Sequence, residues 1–470
     1  MIFSLFDGSG SLSGGSLALL IVALAIALGF EFVNGFHDTA NAVATVIYTK
    51  SLRPWPAVLW SGFCNFCGVY LGGTAVAFSI VNLLPVDLLI RAGSGASLAM
   101  VLALLIAAIL WNLGTWFLGL PASSSHTLIG AIVGVGLANS LLPGHVFGAG
   151  VNWDKAREVG LSLLISPLIG FTLSAALYLT LKATIRSPEL YEPPIEDRPP
   201  PFWIRAVLVS TCTGVSFAHG SNDGQKGIGL IMLILIGVLP AHYALNPKAG
   251  EPQVQRTLAA AARLESLLQQ RESVPGTSAL LDELAALRAT LKRYPTLHAI
   301  PEEARWQVRA NLLRLSKGLA ALKHTKHSGI SNQDWKAVSQ CQAEMKPLIE
   351  YSPTWVLMAV ATALGVGTTV GWKRIVLTVG EKIGKSHLTY AQGASAELVA
   401  MSTIGLADLG GLPVSTTQVL SSGVAGTMAA SGSGLRGKTV RNIALAWLLT
   451  LPVSMLLAGG LYLLFRLVAV

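Results

Sequence analysis

The sequence predicts an all-α polytopic membrane protein. We expect two inverted-topology repeats with broken helices or re-entrant hairpins, about 10–12 membrane segments in total, and an inserted soluble helical domain. Three observations predict this fold class. The 470 residues are 52% hydrophobic and only 12% charged, whereas soluble globular domains are about 25% charged. Apolar runs of the ~20 residues that cross a bilayer recur along the chain. Related polar motifs appear in the same order in both halves.

The first repeat is predicted at residues 1–185. Its opening apolar run, 16–49, is too long for one simple span and contains the polar stretch Gly-Phe-His-Asp-Thr-Ala-Asn at 35–41. A broken or re-entrant helix is therefore predicted there, since such breaks survive in a bilayer only where they line a protein-enclosed cavity. Residues 1–15 lack a basic region, and the first apolar run leads into the polar motif rather than into a cleavage site, so no signal peptide is predicted. Further spans are predicted at 55–84, 97–118, 128–142 and 159–182.

A proline-rich linker at 186–202 precedes the second repeat, which is predicted at 203–245 and 353–470. Its later spans are expected at 355–371, 390–409, 413–430 and 439–465. Between its two parts, residues 246–352 change to a charged composition with apolar residues at helical spacing. We interpret this stretch as an inserted hydrophilic helical domain.

The spacing of the motifs supports an internal duplication. Asp38 precedes Pro121 by 83 positions, and Asp223 precedes Pro413 by 190, or by about 84 once the inserted domain is removed. Both halves are predicted to carry a polar break in corresponding places. Two such halves are typical of secondary transporters.

Short loops rich in lysine and arginine predict the orientation, because such loops remain in the cytoplasm. With five spans before the linker, four basic loops fall on one side, and the second half is inverted relative to the first. The inserted domain and both termini then face the periplasm. The basic loop residues are Lys50, Arg53, Arg186, Arg198, Arg205, Lys373, Arg374, Lys382, Lys385, Arg436, Lys438 and Arg441.

Two kinds of polar motif predict what such a site binds. The first kind supplies oxygen and nitrogen ligands for a coupling cation or proton. Its candidates are His37, Asp38, Asn41, His219, Asp223 and Lys226, and Asn222 in the same motif is predicted to contact phosphate. The second kind supplies hydroxyls beside glycines and helix starts, which suit an oxyanion. Its candidates are Ser123, Ser124, Ser125, Thr127, Ser415, Thr416 and Thr417. Donor-rich turns near carboxylates predict cotransport of an anion with a cation.

Two interpretations fit each of several polar residues in the apolar runs. Glu397 and Glu31 are each interpreted either as a cation ligand or as a bridge between helices. His37, His126 and His219 either shuttle protons or orient a neighbouring carboxylate. Asn65 and Asn112 favour packing hydrogen bonds.

The motifs Gly-Phe-His-Asp-Thr-Ala-Asn, His-Gly-Ser-Asn-Asp-Gly-Gln-Lys, Leu-Pro-Ala-Ser-Ser-Ser-His and Leu-Pro-Val-Ser-Thr-Thr resemble those of the inorganic phosphate transporter (Pit) family. The resemblance covers both membrane halves and is closest to the bacterial low-affinity branch. It implies phosphate symport with protons or sodium across the bacterial inner membrane, often as a neutral metal–phosphate complex, by a homodimer. It assigns substrate and cation contacts to Asp38, Asn41, Asn222 and Asp223, with metal–phosphate contact at the two aspartates. The Pro-Ser/Thr hairpins complete the phosphate site, and no resident cofactor is implied.

Two positions depart from the family pattern. Gln418 stands where many members have a histidine matching His126. Lys226 stands three residues after Asp223, where the repeat places Asn41. One helical turn separates Lys226 from Asp223, so an ion pair is predicted. An ammonium group there would repel sodium, and proton coupling is therefore predicted, with sodium coupling as the alternative.

Other function classes are disfavoured. The net charge of +9 is scattered over loops, without the aromatic-basic patch of a nucleic-acid site. An intramembrane metallohydrolase using His37, Asp38, His126, His219 and Asp223 would need a ligand pair such as His-Glu-x-x-His, which is absent. A passive anion channel gives a weaker reason for the duplication. The chain is predicted to be a transporter and not an enzyme.

Overall fold

The computed structural model describes residues 14–38, 40–81, 83, 95–148, 151–194, 198–271, 274–294, 296–324 and 330–468. Over these residues the secondary structure is helical, with no named strand and an isolated bridge between Gly384 and Leu435. The all-α prediction is confirmed for the described residues.

The helices of the first half are α1 Gly14–Asp38, α2 Ala40–Tyr48, α3 Pro54–Leu71, α4 Ala75–Val81, α5 Gly95–Phe117, α6 Ser124–Ser140 and α7 Trp153–Thr184. Those of the second half are α8 Phe202–Val238, α9 Pro240–Tyr243, α10 Glu251–Gln269, α11 Thr277–Arg293, α12 Glu302–His324, α13 Asn332–Met345, α14 Thr354–Thr368, α15 Lys373–Leu377, α16 Tyr390–Leu409, α17 Thr416–Ser431 and α18 Gly437–Val468.

Four stretches of the described chain are long and apolar enough to cross a membrane, or six if each bent pair of helices is one span. The predicted total of about 10–12 segments also included the short helices α6 and α17, which have 17 and 16 residues. These are shorter than the ~20 residues of a full span, as expected for re-entrant pieces. Leucines on α7 and α18 are exposed, which suits helices that face lipid; they include Leu164, Leu168, Leu448 and Leu456.

The order of elements is similar in the two halves. Each half contains a bent helix pair, α3 with α4 at 75° and α14 with α15 at 54°. The second bend contains Gly371, whose φ of +68° favours glycine. An apolar helix follows each bent pair, and then a short helix that begins after a Pro-Ser turn. Each half ends in a 32-residue helix with an internal proline, Pro167 or Pro452.

The two halves contact each other closely at corresponding glycines. A Cβ atom added to Gly35 on α1 would lie 2.4 Å from the Leu364 carbonyl oxygen on α14. A Cβ atom added to Gly220 on α8 would lie 2.2 Å from the Asn65 carbonyl oxygen on α3. Helix α6 packs on α18, and α17 packs on α7. Each half therefore covers the corresponding helices of the other.

One sequence prediction about this region is wrong. A polar break was predicted at the second motif, but α8 continues without interruption through Asp223. A physical reason is that the Lys226 ammonium lies 2.8 Å from the Asp223 carboxylate within the same helix, at spacing i, i+3. The helix thus supplies its own counter-charge. In the first motif, α1 ends at Asp38 and α2 begins at Ala40, while Thr39 lies outside the described residues.

Residues Met232–Pro353 belong to a separate compact unit that contains helices α10 to α13. Leucines from α10, α11 and α12 form its buried core, among them Leu264, Leu284 and Leu315. The buried Arg309 guanidinium donates to the carbonyl oxygens of Ala244 (3.1 Å) and Ile349 (2.9 Å), near the two ends of this unit. Burial lowers the pKa of Arg309 to about 10, so the guanidinium remains charged near neutral pH.

Candidate functional site

The carboxylates of Asp38 and Asp223 lie in one buried cluster, although 185 positions separate them in the sequence. His219 Nε2 joins them, 3.4 Å from Asp223 Oδ2 and 3.9 Å from Asp38 Oδ2. Ser124 Oγ lies 2.9 Å from Asp38 Oδ2 and 3.4 Å from Asp223 Oδ2. The close approach of α1 to α14 and of α8 to α3 at glycines positions these side chains.

Asp38 accepts hydrogen bonds from both hairpins. The Ser124 hydroxyl, in the first turn of α6, donates to its Oδ2, and the Thr417 hydroxyl, in the first turn of α17, donates to its Oδ1 at 2.5 Å. His37 Nδ1 lies 3.0 Å from the same Oδ1, and its Nε2 lies 3.1 Å from Thr115 Oγ1. Two helix N-termini, one from each half, therefore converge on a single carboxylate. Positive helix ends of this kind bind anions.

Asp223 lies beside positive charge. Lys226 Nζ is 2.8 Å from its Oδ2, and both side chains are fully buried. Among the described residues, Asp223 Oδ1 has no hydrogen-bond partner. The predicted Lys226–Asp223 ion pair is confirmed.

A chain of hydrogen bonds orients His219. Its Nδ1 lies 2.8 Å from Asn65 Oδ1, and the Asn65 amide donates to Thr368 Oγ1 at 3.1 Å. Since Asn65 Oδ1 can only accept, His219 donates from Nδ1 and directs Nε2 at the two carboxylates. Asn65 thus makes a packing hydrogen bond, as predicted, and also orients a residue of the cluster.

Four of the other five predicted hydroxyls bond within the protein. Ser123 caps α6 and accepts from the His126 backbone N–H (3.2 Å), and Ser415 caps α17 and accepts from the Gln418 backbone N–H (3.2 Å). The Ser125 hydroxyl donates to the Val414 carbonyl oxygen, and the Thr127 hydroxyl donates to the Ser123 carbonyl oxygen. Thr416 Oγ1 has no partner within the described part of the chain.

Two further predicted residues, Asn222 and His126, form hydrogen bonds near the Pro-Ser turns. The Asn222 side chain bonds to the backbone on both sides of Pro413. Its amide donates to the Leu412 carbonyl oxygen (3.2 Å), and its Oδ1 accepts from the Val414 N–H (3.4 Å). His126 Nδ1 lies 2.8 Å from Ser123 Oγ. The side chain of Asn41 lies outside the described residues.

Glu397 lies apart from the Asp38–Asp223 contacts. Its carboxylate accepts hydrogen bonds from Thr45 on α2 and, at 2.5 Å, from Thr211 on α8. Because Glu397 is on α16, these bonds connect three helices. Of its two interpretations, the geometry favours the bridge between helices.

Asp408, near the end of α16, makes further part-buried polar contacts that were not predicted from the sequence. Its carboxylate accepts from the Ser221 hydroxyl (2.5 Å) and from the Gln225 amide (2.6 Å), both on α8. Gln225 Oε1 also accepts from the Val76 N–H at the start of α4 (2.8 Å). A carboxylate in an apolar run five positions before Pro413 was the available signal.

One ligand atom each from Asp38, His219 and Asp223 lies within 4.8 Å of the others, an arrangement that can hold a cation. Carboxylate oxygens and an imidazole nitrogen suit a divalent metal as well as a proton. The site therefore combines anion-binding helix ends with cation ligands.

Comparisons with known proteins agree with this chemistry. A family model described as the phosphate transporter family matches residues 34–458. Two low-affinity inorganic phosphate transporters of Escherichia coli (strain K12), PitB and PitA, are each 44% identical over 94% of this chain and 96% of their own. A probable low-affinity inorganic phosphate transporter of Bacillus subtilis (strain 168) is 30% identical over 95% of this chain and 97% of its own. A solved structure, "The sodium-dependent phosphate transporter", covers 96% of this chain and 100% of its own at 20% identity, with a TM-score of 0.56, and is similar in fold.

Proposed function

The chain belongs to the phosphate transporter family, and from that premise we propose that it imports inorganic phosphate across the bacterial inner membrane by proton symport. Membership of this family makes it a transporter and not an enzyme. The observation that carries the phosphate proposal is the convergence of the Ser124 and Thr417 hydroxyls on one buried carboxylate. Phosphate, an oxyanion, would take the same donors at the same two helix ends.

The architecture we propose is a pair of inverted repeats. The similar order of elements, the reciprocal glycine contacts and the exchanged packing of the short helices support it. The resemblance to the family also leads us to propose a homodimer.

The need for a coupling cation follows from the membrane potential. With about 100 mV, inside negative, each net negative charge carried inward costs about 2.3 kcal/mol. Phosphate therefore needs positive charge to accompany it, and Asp38 and Asp223 are the carboxylates placed to hold that charge. A divalent metal at Asp38, His219 and Asp223 would travel with phosphate as cargo.

Lys226 favours protons over sodium in this proposal. Its ammonium lies 2.8 Å from Asp223 Oδ2. A sodium ion at that oxygen would face a like charge at close range in a fully buried site. The same fixed charge attracts phosphate. Sodium coupling remains the second candidate, because a protein of similar fold is described as sodium-dependent.

Uptake of labelled phosphate into proteoliposomes tests the proposal, with proton, sodium and magnesium gradients imposed one at a time. We expect accumulation to follow the proton gradient. Accumulation driven by sodium alone would refute proton coupling, and phosphate movement that never exceeds the external concentration would indicate a channel.

The variant Lys226→Asn makes this test more specific, because it introduces asparagine, the residue at the corresponding position of the first half, Asn41. Phosphate uptake by this variant should be stimulated by sodium, or it should no longer depend on the proton gradient. Unchanged proton dependence in Lys226→Asn would contradict the role given to Lys226.

A further inference from the structure

A second buried carboxylate, Glu31 on α1, lies apart from the aspartate cluster. Glu31 and Asn34 are both fully buried. The Asn34 amide makes only a long contact of 3.5 Å with Glu31 Oε2. Among the described residues, Glu31 Oε1 and Asn34 Oδ1 have no hydrogen-bond partner.

The surroundings of Glu31 disfavour its charged form. An ionised carboxylate buried without full hydrogen bonding costs several kcal/mol, so such groups take up a proton instead. Glu397 is equally buried, yet it accepts hydrogen bonds from two threonine hydroxyls. Within the described part of the chain, the fold thus supplies hydrogen-bond partners to Glu397 and leaves Oε1 of Glu31 unpaired.

Glu31 also adjoins the charge of the phosphate site. It packs against the backbone of Gly227, where an added Cβ atom would lie 2.3 Å from Glu31 Cγ and 2.7 Å from Oε1. The preceding residue, Lys226, pairs with Asp223. Three charged or titratable groups act on Glu31 from α8, namely Lys226, Asp223 and His219. Of the two other helices that contact α1, α14 contains no titratable residue, and α2 contains Tyr48 at its last position.

We propose that Glu31 is the group that takes up and releases the coupled proton, an inference that rests on the proposed proton symport. While Lys226 pairs with Asp223, Glu31 has no counter-charge of its own and is protonated. Glu31 takes this proton from water on the periplasmic side. When the ammonium turns from Asp223 toward Glu31, the carboxyl group releases the proton to water on the cytoplasmic side, and the carboxylate gains the ammonium as its partner. One proton is bound and released at Glu31 in each cycle.

The test separates coupling from substrate binding by using Glu31→Gln in the full chain, reconstituted in proteoliposomes. One assay measures exchange of labelled phosphate at equal pH on both sides, and the other measures accumulation under a proton gradient. A gradient of about one pH unit supports at most about tenfold accumulation per coupled proton, because the free energies must balance. We expect Glu31→Gln to lose this accumulation and to keep exchange. The control is Glu189→Gln, the same change at an exposed position, which should keep both activities.

The outcomes distinguish this inference from the proposed function. If the wild type accumulates phosphate with the proton gradient and Glu31→Gln does so equally, the inference alone is overturned. Loss of exchange in a folded Glu31→Gln protein also overturns it, because Glu31 would then serve substrate binding or the conformational change. A wild type that ignores the proton gradient overturns the proposed function and this inference with it.

Two further measurements keep the inference testable if Glu31→Gln does not fold. Glu31→Asp keeps a titratable group and should retain proton-driven accumulation at a shifted pH optimum. Infrared difference spectra of the wild type, with isotope-labelled glutamate, should show a protonated carboxyl band that changes when inorganic phosphate is added. Absence of a protonated glutamate band would refute the proposal.

Discussion

Replacing Lys226 with methionine tests the buried ion pair at the centre of the site. Lys226→Met keeps the length of the side chain and removes the charge that lies 2.8 Å from Asp223 Oδ2, with both side chains fully buried. At that distance and an effective dielectric constant of about 20, the attraction is about 6 kcal/mol before desolvation. Breaking a buried pair from one side typically costs about 3–5 kcal/mol, because the other charge is left uncompensated.

Because Asp223 has other partners besides Lys226, we expect the loss of stability to lie at the lower end of this range. Asp223 would still lie 3.4 Å from His219 Nε2 and 3.4 Å from Ser124 Oγ. We therefore expect Lys226→Met to lower the free energy of unfolding by about 3 kcal/mol. The double variant Lys226→Met/Asp223→Asn should recover about 2 kcal/mol of that loss, since no unpaired charge remains.

Denaturant unfolding of the purified protein in detergent, without phosphate, measures these differences. Lys382→Met serves as the control, because Lys382 is exposed and its replacement should leave stability unchanged. If Lys226→Met is as stable as the wild type, or if the double variant is no more stable than the single one, the ion pair does not contribute as reasoned.

The remaining predictions concern the site, the helix packing and the topology. Asp38→Asn should abolish proton-driven phosphate accumulation while folded protein remains in the membrane; normal accumulation would remove this carboxylate from the mechanism. Gly220→Ala should lower thermal stability, because its Cβ atom would lie 2.2 Å from a carbonyl oxygen of α3, whereas Gly237→Ala on the same helix has open space; equal melting temperatures would contradict that packing. In a cysteine-free background, a cysteine near Glu302 should react with an impermeant thiol reagent from outside and one near Lys382 should not, and the reverse labelling would overturn the predicted orientation.

The sequence by itself determined the class of protein and the local chemistry. Hydropathy and composition predicted a helical membrane protein because a bilayer demands long apolar helices whatever their arrangement. The i, i+3 spacing predicted the Lys226–Asp223 pair because one helical turn brings such residues together. The motifs after Pro121 and Pro413 predicted donor-rich helix starts, and Ser123 and Ser415 do cap helices α6 and α17.

Only the tertiary structure decided which of these groups meet. The Asp38 carboxylate receives hydroxyls from Ser124 and Thr417, residues 86 and 379 positions away. Periodicity relates residues along one helix, whereas contacts between helices depend on where their backbones cross. Close approaches such as that of Gly220 to the Asn65 carbonyl set those crossings. The crossings between helices also determine which buried carboxylates receive hydrogen-bond partners. Glu31 and Glu397 look alike in sequence, yet neighbouring helices bring two hydroxyls to Glu397 and leave one oxygen of Glu31 unpaired within the described chain.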